Sequence, residues 1–275
     1  ISKILSQPYG CTLVITPWNF PFQIPLMAVA AALSAGNCVI LKPSHHAQES
    51  ERLLKAIIQE AFPPEQIAVV TGGNEIHHFL LTQKYDFIFY TGGATAGKKV
   101  MEAAARNLTP VCLELGGKNP CIVDATADID SAAKRIIWGK LINSGQNCIA
   151  PDYVLVDSSK HKELIEKMCT CMEEFYGNNP VAADSSLSSI VNERHFFRLL
   201  NLANGNNPAN GVVTTNNPTG ASYNREALKI KPILLDSPER DSPVMQDEIF
   251  GPILPVLPYD TLEEVIGIRE SVCSL

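Results

Sequence analysis

The stretch NSGQNCIAPD, residues 143–152, places Cys148 in a polar turn, with Gly-Gln before it and Ala-Pro after it. Structural cysteines usually sit in apolar strands, where they behave as small hydrophobes. Cys148 falls instead where the backbone bends and a ligand can reach the sulfur. A thiolate in such a place is a nucleophile suited to attack on a carbonyl carbon; taken alone, the residue also reads as an incidental loop thiol. A hydrolase built on Cys148 needs a histidine base, and no recognisable motif supplies one nearby. Glu114 in LELGG is a carboxylate near the end of an apolar strand, an unfavourable place for a charge without a purpose. It suits a general base that activates water, or an ion pair with a lysine such as Lys118.

Two further segments suit anion binding. FIFYTGGATAGKK runs from a strand through Thr91, Gly92 and Gly93 to Gly97 and a helix. The phosphate loop of nucleotide triphosphatases requires Lys and then Ser or Thr; here Lys98 is followed by Lys99, so that reading fails. What remains is a glycine-permissive turn at a helix N-terminus, which accepts an anion on its backbone N–H groups or is simply a tight strand-to-helix turn. Lys42 ends the strand VILKP, from which it can reach ribose hydroxyls or phosphates, or else stand in solvent.

The elements that must position these residues alternate. CTLVIT, CVILKP, QIAVVTGG, DFIFYTGG and PVCLELGG read as strands, separated by the helical segments PLMAVAAALSAG, QESERLLKAIIQEAF, EIHHFLLTQ and TAGKKVMEAAARN. The second helix is expected to turn Leu53, Leu54, Ile57, Ile58 and Ala61 to one face. Apolar strands without alternation, spaced by helices, form a parallel sheet covered on both sides. After Gly116-Gly117 the pattern changes. CIVD and DYVLVD are strands, DIDSAAKRIIWGKLINSG and SKHKELIEKMCTCMEEFYG are helices, and Asn-rich loops follow at NGNNPANG and TTNNPTGASYN. The reading is therefore α/β, with two domains, 1–117 and 118–275. No internal repeat is evident.

The chain has 275 residues, is 45% hydrophobic and 19% charged, and carries a net charge of −7 with pI about 5.4. This balance excludes a nucleic-acid footprint. The basic cluster AAKRIIWGK reads as one face of a helix. AVAAALSAG is too short to span a bilayer, and no signal peptide opens the chain. The eight cysteines form no C-x-x-C pair and no zinc spacing, a usage that fits reduced thiols in the cytoplasm. The abrupt start at ISKILSQPYG and stop at SVCSL point to an internal piece of a longer protein.

Six segments in order, TPWNFPF, ILKPS, YTGGATAGK, LELGGKNP, NSGQNCIAPDYVL and SPVMQDEIFGPILPV, resemble the NAD(P)-dependent aldehyde dehydrogenase superfamily, and their flanks resemble its class 3 branch. The resemblance covers essentially the whole chain. It implies a Rossmann-like parallel sheet that binds the cofactor and a second α/β catalytic domain, both incomplete, with a helical region and hairpin upstream and the remainder of the catalytic domain downstream.

By that resemblance Cys148 is the nucleophile and Glu114 the base that hydrolyses the thioester. Asn19 of PWNFP, with the Cys148 backbone N–H, meets the developing oxyanion. NAD or NADP is bound by Lys42, Gly92 and Gly97, and by Glu248 and Phe250 of EIFGP, which hold the nicotinamide ribose and flank the ring. No metal is implied. The substrate is an aldehyde, and the full-length protein is expected to be a homodimer. CoA-acylating chemistry is an alternative, against which Glu114 argues; a catalytically silent binding module is another, against which the intact Asn19, Glu114 and Cys148 argue. Two departures stand out. Gly93 replaces a serine common in the TG motif. His45 occupies the place, three residues after Lys42, where an acidic residue often reads the adenosine ribose, so the reason for strict NAD preference is missing.

Overall fold

The structure, a computed structural model, describes residues 2–204, 212–214 and 222–272. It separates into two compact units, residues 1–116 and 117–275.

In the first unit the strands are β1 (Cys11–Ile15), β2 (Cys38–Lys42), β3 (Ile67–Val69), β4 (Phe87–Thr91) and β5 (Val111–Glu114). Between them run α1 (Gln23–Ser34), α2 (Gln48–Ala61), α3 (Asn74–Leu81) and α4 (Ala94–Ala105). The sheet order is β3-β2-β1-β4-β5 and every pairing is parallel. Successive side chains of β1 point to opposite faces. Leu13 and Ile15 join a core with Ile88, Tyr90 and Val100, whereas Val14 joins another with Val29, Leu41, Leu54 and Ile58. Both faces are covered, which is why the strands read as continuous apolar runs.

The expected face of α2 is corrected. Its buried line is Glu51, Leu54 and Ile58, while Leu53 and Ile57 are 53% and 47% exposed and Ala61 is exposed. Consecutive helical residues stand about 100° apart, so Leu53 and Ile57 flank the buried line rather than belong to it.

The second unit contains β6 (Pro120–Val123), α5 (Ile129–Leu141), β7 (Tyr153–Asp157), α6 (His161–Tyr176), α7 (Glu193–Asn204) and β8 (Val212–Thr214). A short antiparallel pair follows, β9 (Tyr223–Asn224) with β10 (Lys229–Ile230), then β11 (Ile233–Asp236), α8 (Pro243–Gln246), β12 (Ile253–Tyr259) and α9 (Leu262–Val272). The main sheet has the order β6-β7-β12-β11-β8 and is parallel except where β8 meets β11. Val154 and Val156 pack with Ile137, Leu164 and Met168; Tyr153 and Leu155 pack on the other face with Phe196, Leu199 and Val265. Asp128 caps α5 by accepting the Ser131 N–H at 2.8 Å, the role that its position before an apolar helical run requires.

Two α/β units built on mainly parallel sheets agree with the expected fold class. The elements not foreseen are α7, β8 to β11, α8 and β12. Most of the Asn-rich loops, 205–211 and 215–221, and Cys273 lie outside the described residues. No disulfide joins the described cysteines.

Candidate active site

In an open parallel sheet, ligands bind outside the carboxyl ends of the strands where the strand order reverses. In the first unit that point lies between β1 and β4. Strand register brings most of the expected residues of this unit to that edge. Ile15 pairs with Lys42 on one side and Tyr90 on the other, and Thr91 pairs with Glu114. The Thr16 N–H donates to the Lys42 carbonyl at 3.1 Å, and the Gly92 N–H to the Glu114 carbonyl at 3.0 Å. Asn19 is half-buried in the loop that leaves β1 at the same edge.

Lys42 is not a solvent lysine. It is 3% exposed, its Nζ donates to the Pro43 carbonyl at 2.6 Å, and it lies 3.9 Å from Glu51 Oε1. Burial pushes its pKa down, against the opposing pull of Glu51. His45 is half-buried, with its ring 4.2 Å from that of His46. A further histidine, His77 of α3, was not foreseen in this role. Burial lowers its pKa, with added repulsion from His78, Lys42, His45 and Lys99. His45 thus lies in a corner of basic side chains with His46, His77, Lys42 and Lys99. The signal was the His-His pair in EIHHFLL, which read only as part of a helix.

The TGG turn is closely packed and leaves the start of α4 open. Gly97 packs so closely that a Cβ would stand 2.8 Å from Leu115 Cδ2, and one on Gly92 would stand 2.4 Å from Tyr90 Oη. Beside Gly93, the N-cap residue of α4, a Cβ would meet open space, and α4 has neither a side-chain cap nor an acid in its first turn. Its N-terminal N–H groups and positive dipole end are therefore available to an anion. The hydroxyls of Thr16 and Thr91, on either side of the switch point, are buried with no hydrogen-bond partner among the described residues. Orphaned donors beside an open helix N-terminus suit the phosphates and hydroxyls of a dinucleotide.

Glu114 departs from expectation. It ends β5 but is exposed, so the argument from a buried charge does not hold. Lys118, the ion-pair alternative for it, is buried and held elsewhere: its Nζ lies 2.5 Å from Asp152 Oδ2 and donates to the Val244 carbonyl at 2.6 Å.

In the second unit the turn that carries Cys148 is built by left-handed backbone. After α5, Asn143, Ser144 and Gly145 have φ of 52°, 55° and 75°. Gln146, 1% exposed, pins the turn: its side-chain amide donates to the Asn143 and Ser189 carbonyls at 3.0 Å each and accepts the Val191 N–H at 2.9 Å. The Asn119 side chain donates to the Cys148 carbonyl at 2.7 Å and the Ala150 carbonyl at 3.3 Å. Cys148 is half-buried, with Sγ 3.9 Å from Asn147 Oδ1. The polar residues around it are thus structural ties, and between Ser144 and Ala150 Cys148 and Ile149 are the residues not buried, Ile149 being 80% exposed.

The Glu248–Phe250 segment abuts this turn, because a Cβ on Gly145 would stand 2.2 Å from the Gly251 carbonyl oxygen. Arg198 of α7 donates to the Ile249 and Phe250 carbonyls at 2.7 and 3.4 Å, and Phe250 has φ 48°. Glu248 is half-buried, and its pKa is pushed up to about 7 by burial and by Asp152, against the Gly117 N–H, Lys140 and Arg198. Asp152 accepts the Ile249 N–H at 3.1 Å and lies 3.7 Å from Lys140 Nζ. Lys140 corrects the reading of AAKRIIWGK as one basic helix face: it is 1% exposed, on the buried line with Ala133 and Ile137. Its spacing from those residues, i+7 and i+3, was the available signal.

Among the described residues no helix is long and apolar enough to cross a membrane, and no group of three or more His, Cys, Asp or Glu residues could hold a metal ion.

The aldehyde dehydrogenase family model matches residues 1–272. The chain is 41% identical over 263 residues to the dimeric NADP-preferring aldehyde dehydrogenase of Mus musculus, a match covering 96% of this chain and 56% of that protein. It is 43% identical over 272 residues to aldehyde dehydrogenase family 3 member H1 of Arabidopsis thaliana, covering 98% and 55%. The solved structure of Staphylococcus aureus AldH in its substrate-bound state superposes with a TM-score of 0.88 at 42% identity, covering 96% of this chain and 56% of that one. The chain spans about half the length of the curated relatives it matches. The resemblance to the class 3 branch is borne out by the family 3 relative. With a match that runs from residue 1 to residue 272 and identities above 40%, the chain belongs to the aldehyde dehydrogenase family.

Proposed function

We propose that the full-length protein oxidises an aldehyde to a carboxylic acid with NAD or NADP, in the cytoplasm and as a homodimer. The observation that carries this reading is the turn of Cys148, fixed through Gln146 and Asn119 and packed through Gly145 on the segment of Glu248 and Phe250. The name of the mouse relative, dimeric and NADP-preferring, supports the assembly and the cofactor. The cysteine usage supports the compartment.

In this reading residues 1–117 hold the cofactor and residues 118–275 carry the nucleophile. The Cys148 thiolate attacks the carbonyl carbon, a C–S bond forms, and the carbonyl electron pair moves to oxygen. The Asn19 side-chain amide and the Cys148 N–H donate to that oxyanion, as preorganised donors must if they are to lower the barrier. When bound, the nicotinamide supplies the acceptor for hydride. Collapse of the oxyanion expels hydride from carbon and leaves a thioester on Cys148. Glu114 takes a proton from water, the hydroxide adds to the thioester, and the C–S bond breaks to return the thiolate and release the acid. An exposed carboxylate at the end of β5 can exchange its proton with solvent between turnovers. Lys42, His45, Gly92 and Gly97 bind the adenosine and phosphate portions, while Glu248 and Phe250 orient the nicotinamide ribose and ring.

The test is aldehyde-dependent formation of NADH and NADPH by the full-length protein, with Cys148→Ala beside the wild type. The variant is expected to lose several powers of ten in rate, as when other catalytic nucleophiles are removed, with dinucleotide affinity nearly intact. Turnover close to wild type in Cys148→Ala would remove the basis of the reading.

A further inference from the structure

Residues 180–191, between α6 and α7, run without helix or strand, so no ladder pairs their backbone carbonyls. Lys229 of β10 meets three of them. It is 4% exposed, and its Nζ donates to the Ala182, Ala183 and Ser185 carbonyls at 2.9, 3.0 and 2.9 Å, with the Ser185 hydroxyl oxygen at 3.0 Å. An ammonium has three N–H donors and no acceptor, and four oxygens surround this one. Burial of a charge is tolerated where hydrogen bonds meet it. Here they do, and the loop is gathered around the ammonium as around a bound cation.

The β9–β10 pair and its turn hold the same segment at two further points. The Asn224 side-chain amide donates to the Val181 carbonyl at 3.1 Å, and the Ile190 N–H donates to the Leu228 carbonyl at 2.7 Å. Ile190 is 1% exposed and shares a core with Ile230. The far end of the segment meets the turn of Cys148. The Ser144 hydroxyl donates to the Ser188 carbonyl, while the Gln146 side chain donates to the Ser189 carbonyl at 3.0 Å and accepts the Val191 N–H at 2.9 Å. Ile190, held by Leu228, therefore stands between the two residues that Gln146 holds. Ser144 has φ 55°, a strained setting for a residue other than glycine that persists where its surroundings hold it.

We propose that Lys229 is a positioning residue for Cys148: its buried ammonium anchors residues 182–185, and the strap that continues to Val191 braces Ser144 and Gln146 and so fixes the turn that aims the sulfur. The proposal rests on the assignment of Cys148 as the nucleophile. Lys229 itself touches neither substrate nor cofactor. Its loss frees the strap at one end and loosens the turn at the other. A nucleophile held less firmly forms the carbon–sulfur bond more slowly, whereas dinucleotide affinity does not depend on that bond.

The experiment uses the full-length protein with Lys229→Met, which keeps the reach of the side chain and removes its donors. Amide hydrogen exchange is followed by mass spectrometry well below the unfolding temperature of both proteins. The Gln146 and Ala150 N–H groups, which donate to the Asn143 and Asn147 carbonyls, report on the turn. In Lys229→Met they are expected to exchange about tenfold faster, together with Ile190 and Val191. Faster exchange confined to residues 182–185 gives Lys229 a local role and overturns the proposal. The second readout is the single-turnover rate of NADH or NADPH formation with the dinucleotide saturating. It is expected to fall about tenfold, while the dinucleotide dissociation constant stays within about twofold of wild type. An unchanged rate, or an equal loss of dinucleotide affinity, overturns the proposal. If Lys229→Met does not fold, Lys229→Gln, which keeps N–H donors but no charge, takes its place with the same two readouts. A wild-type protein that forms neither NADH nor NADPH with aldehydes instead overturns the assigned function, and exchange at the turn then decides the coupling to Lys229 by itself.

Discussion

Gly145 and Gly251 are fitted to one another: a Cβ on Gly145 would lie 2.2 Å from the Gly251 carbonyl oxygen, and Gly145 has φ +75°. This backbone contact ties the turn of Cys148 to the segment of Glu248 and Phe250, and it has no side chain that could yield. Gly145→Ala is therefore expected to destabilise the protein by about 3 kcal/mol, from overpacking and left-handed strain together. It should also change the rate at which Cys148 is alkylated. Gly251→Ala should cost less, because its Cβ meets the Leu199 side chain, which can repack within the core, rather than backbone. Urea midpoints of the two variants decide the order; equal midpoints would show that the backbone relaxes freely at Gly145.

Glu114→Gln separates the two halves of the reaction. Hydride transfer precedes hydrolysis, so rapid mixing should give a burst of up to about one NADH per site followed by very slow turnover. A folded variant that binds cofactor but gives no burst would assign Glu114 an earlier step.

Cofactor choice is expected to follow His45. A glutamate there would accept from the 2′-hydroxyl of NAD and repel the 2′-phosphate of NADP; histidine removes that repulsion and attracts the phosphate when protonated. Lys42 and Lys99 add positive charge to the same corner, whereas burial favours the neutral form of His77. The protein should use NADP at least comparably with NAD. His45→Glu should shift preference toward NAD by roughly tenfold, about 1.4 kcal/mol. The kcat/KM ratio for the two cofactors is the measurement, and an unchanged ratio means His45 does not read the 2′ position.

Stability should depend on pH through Glu248 and Lys140 with opposite signs. Glu248 has its pKa raised to about 7, so between the ordinary carboxylate range and pH 7 the folded state keeps a proton that the unfolded chain has lost. Stability from this group therefore falls as pH rises through that window. Lys140 has its pKa lowered to about 8, so above pH 8 the unfolded chain binds the extra proton and stability from this group rises with pH. Urea midpoints of wild type and Glu248→Gln between pH 5 and pH 8 test the first effect: the wild type should lose stability relative to the variant as pH rises. A constant difference would place the Glu248 titration outside this range.

The order of strands and helices from β1 to α6 was legible in the sequence because apolar runs, the Asp128 cap and the glycine stops act locally; α7, β8 to β11, α8 and β12 were not. Cys148 was legible as a candidate because its polar turn contrasts with the apolar setting of most other cysteines. The reasons behind that turn were not, since Gln146 and Asn119 find their partners at Ser189, Val191 and Ala150 only once distant segments pack. Burial separated the charged residues in ways that local pattern could not. Glu114 stands exposed at a strand end, whereas Lys42 and Lys140 are almost wholly enclosed. Whether a charge at a strand end or on a helix meets water, a carbonyl or an opposite charge depends on what the sheet and the neighbouring helices bring across to it. Strand register likewise decided which motifs share an edge: Lys42 lies in line with Ile15 and Tyr90, and Glu114 beside Thr91, although they are scattered through the chain. Local propensity set the elements; non-local pairing and burial set the electrostatics of the site.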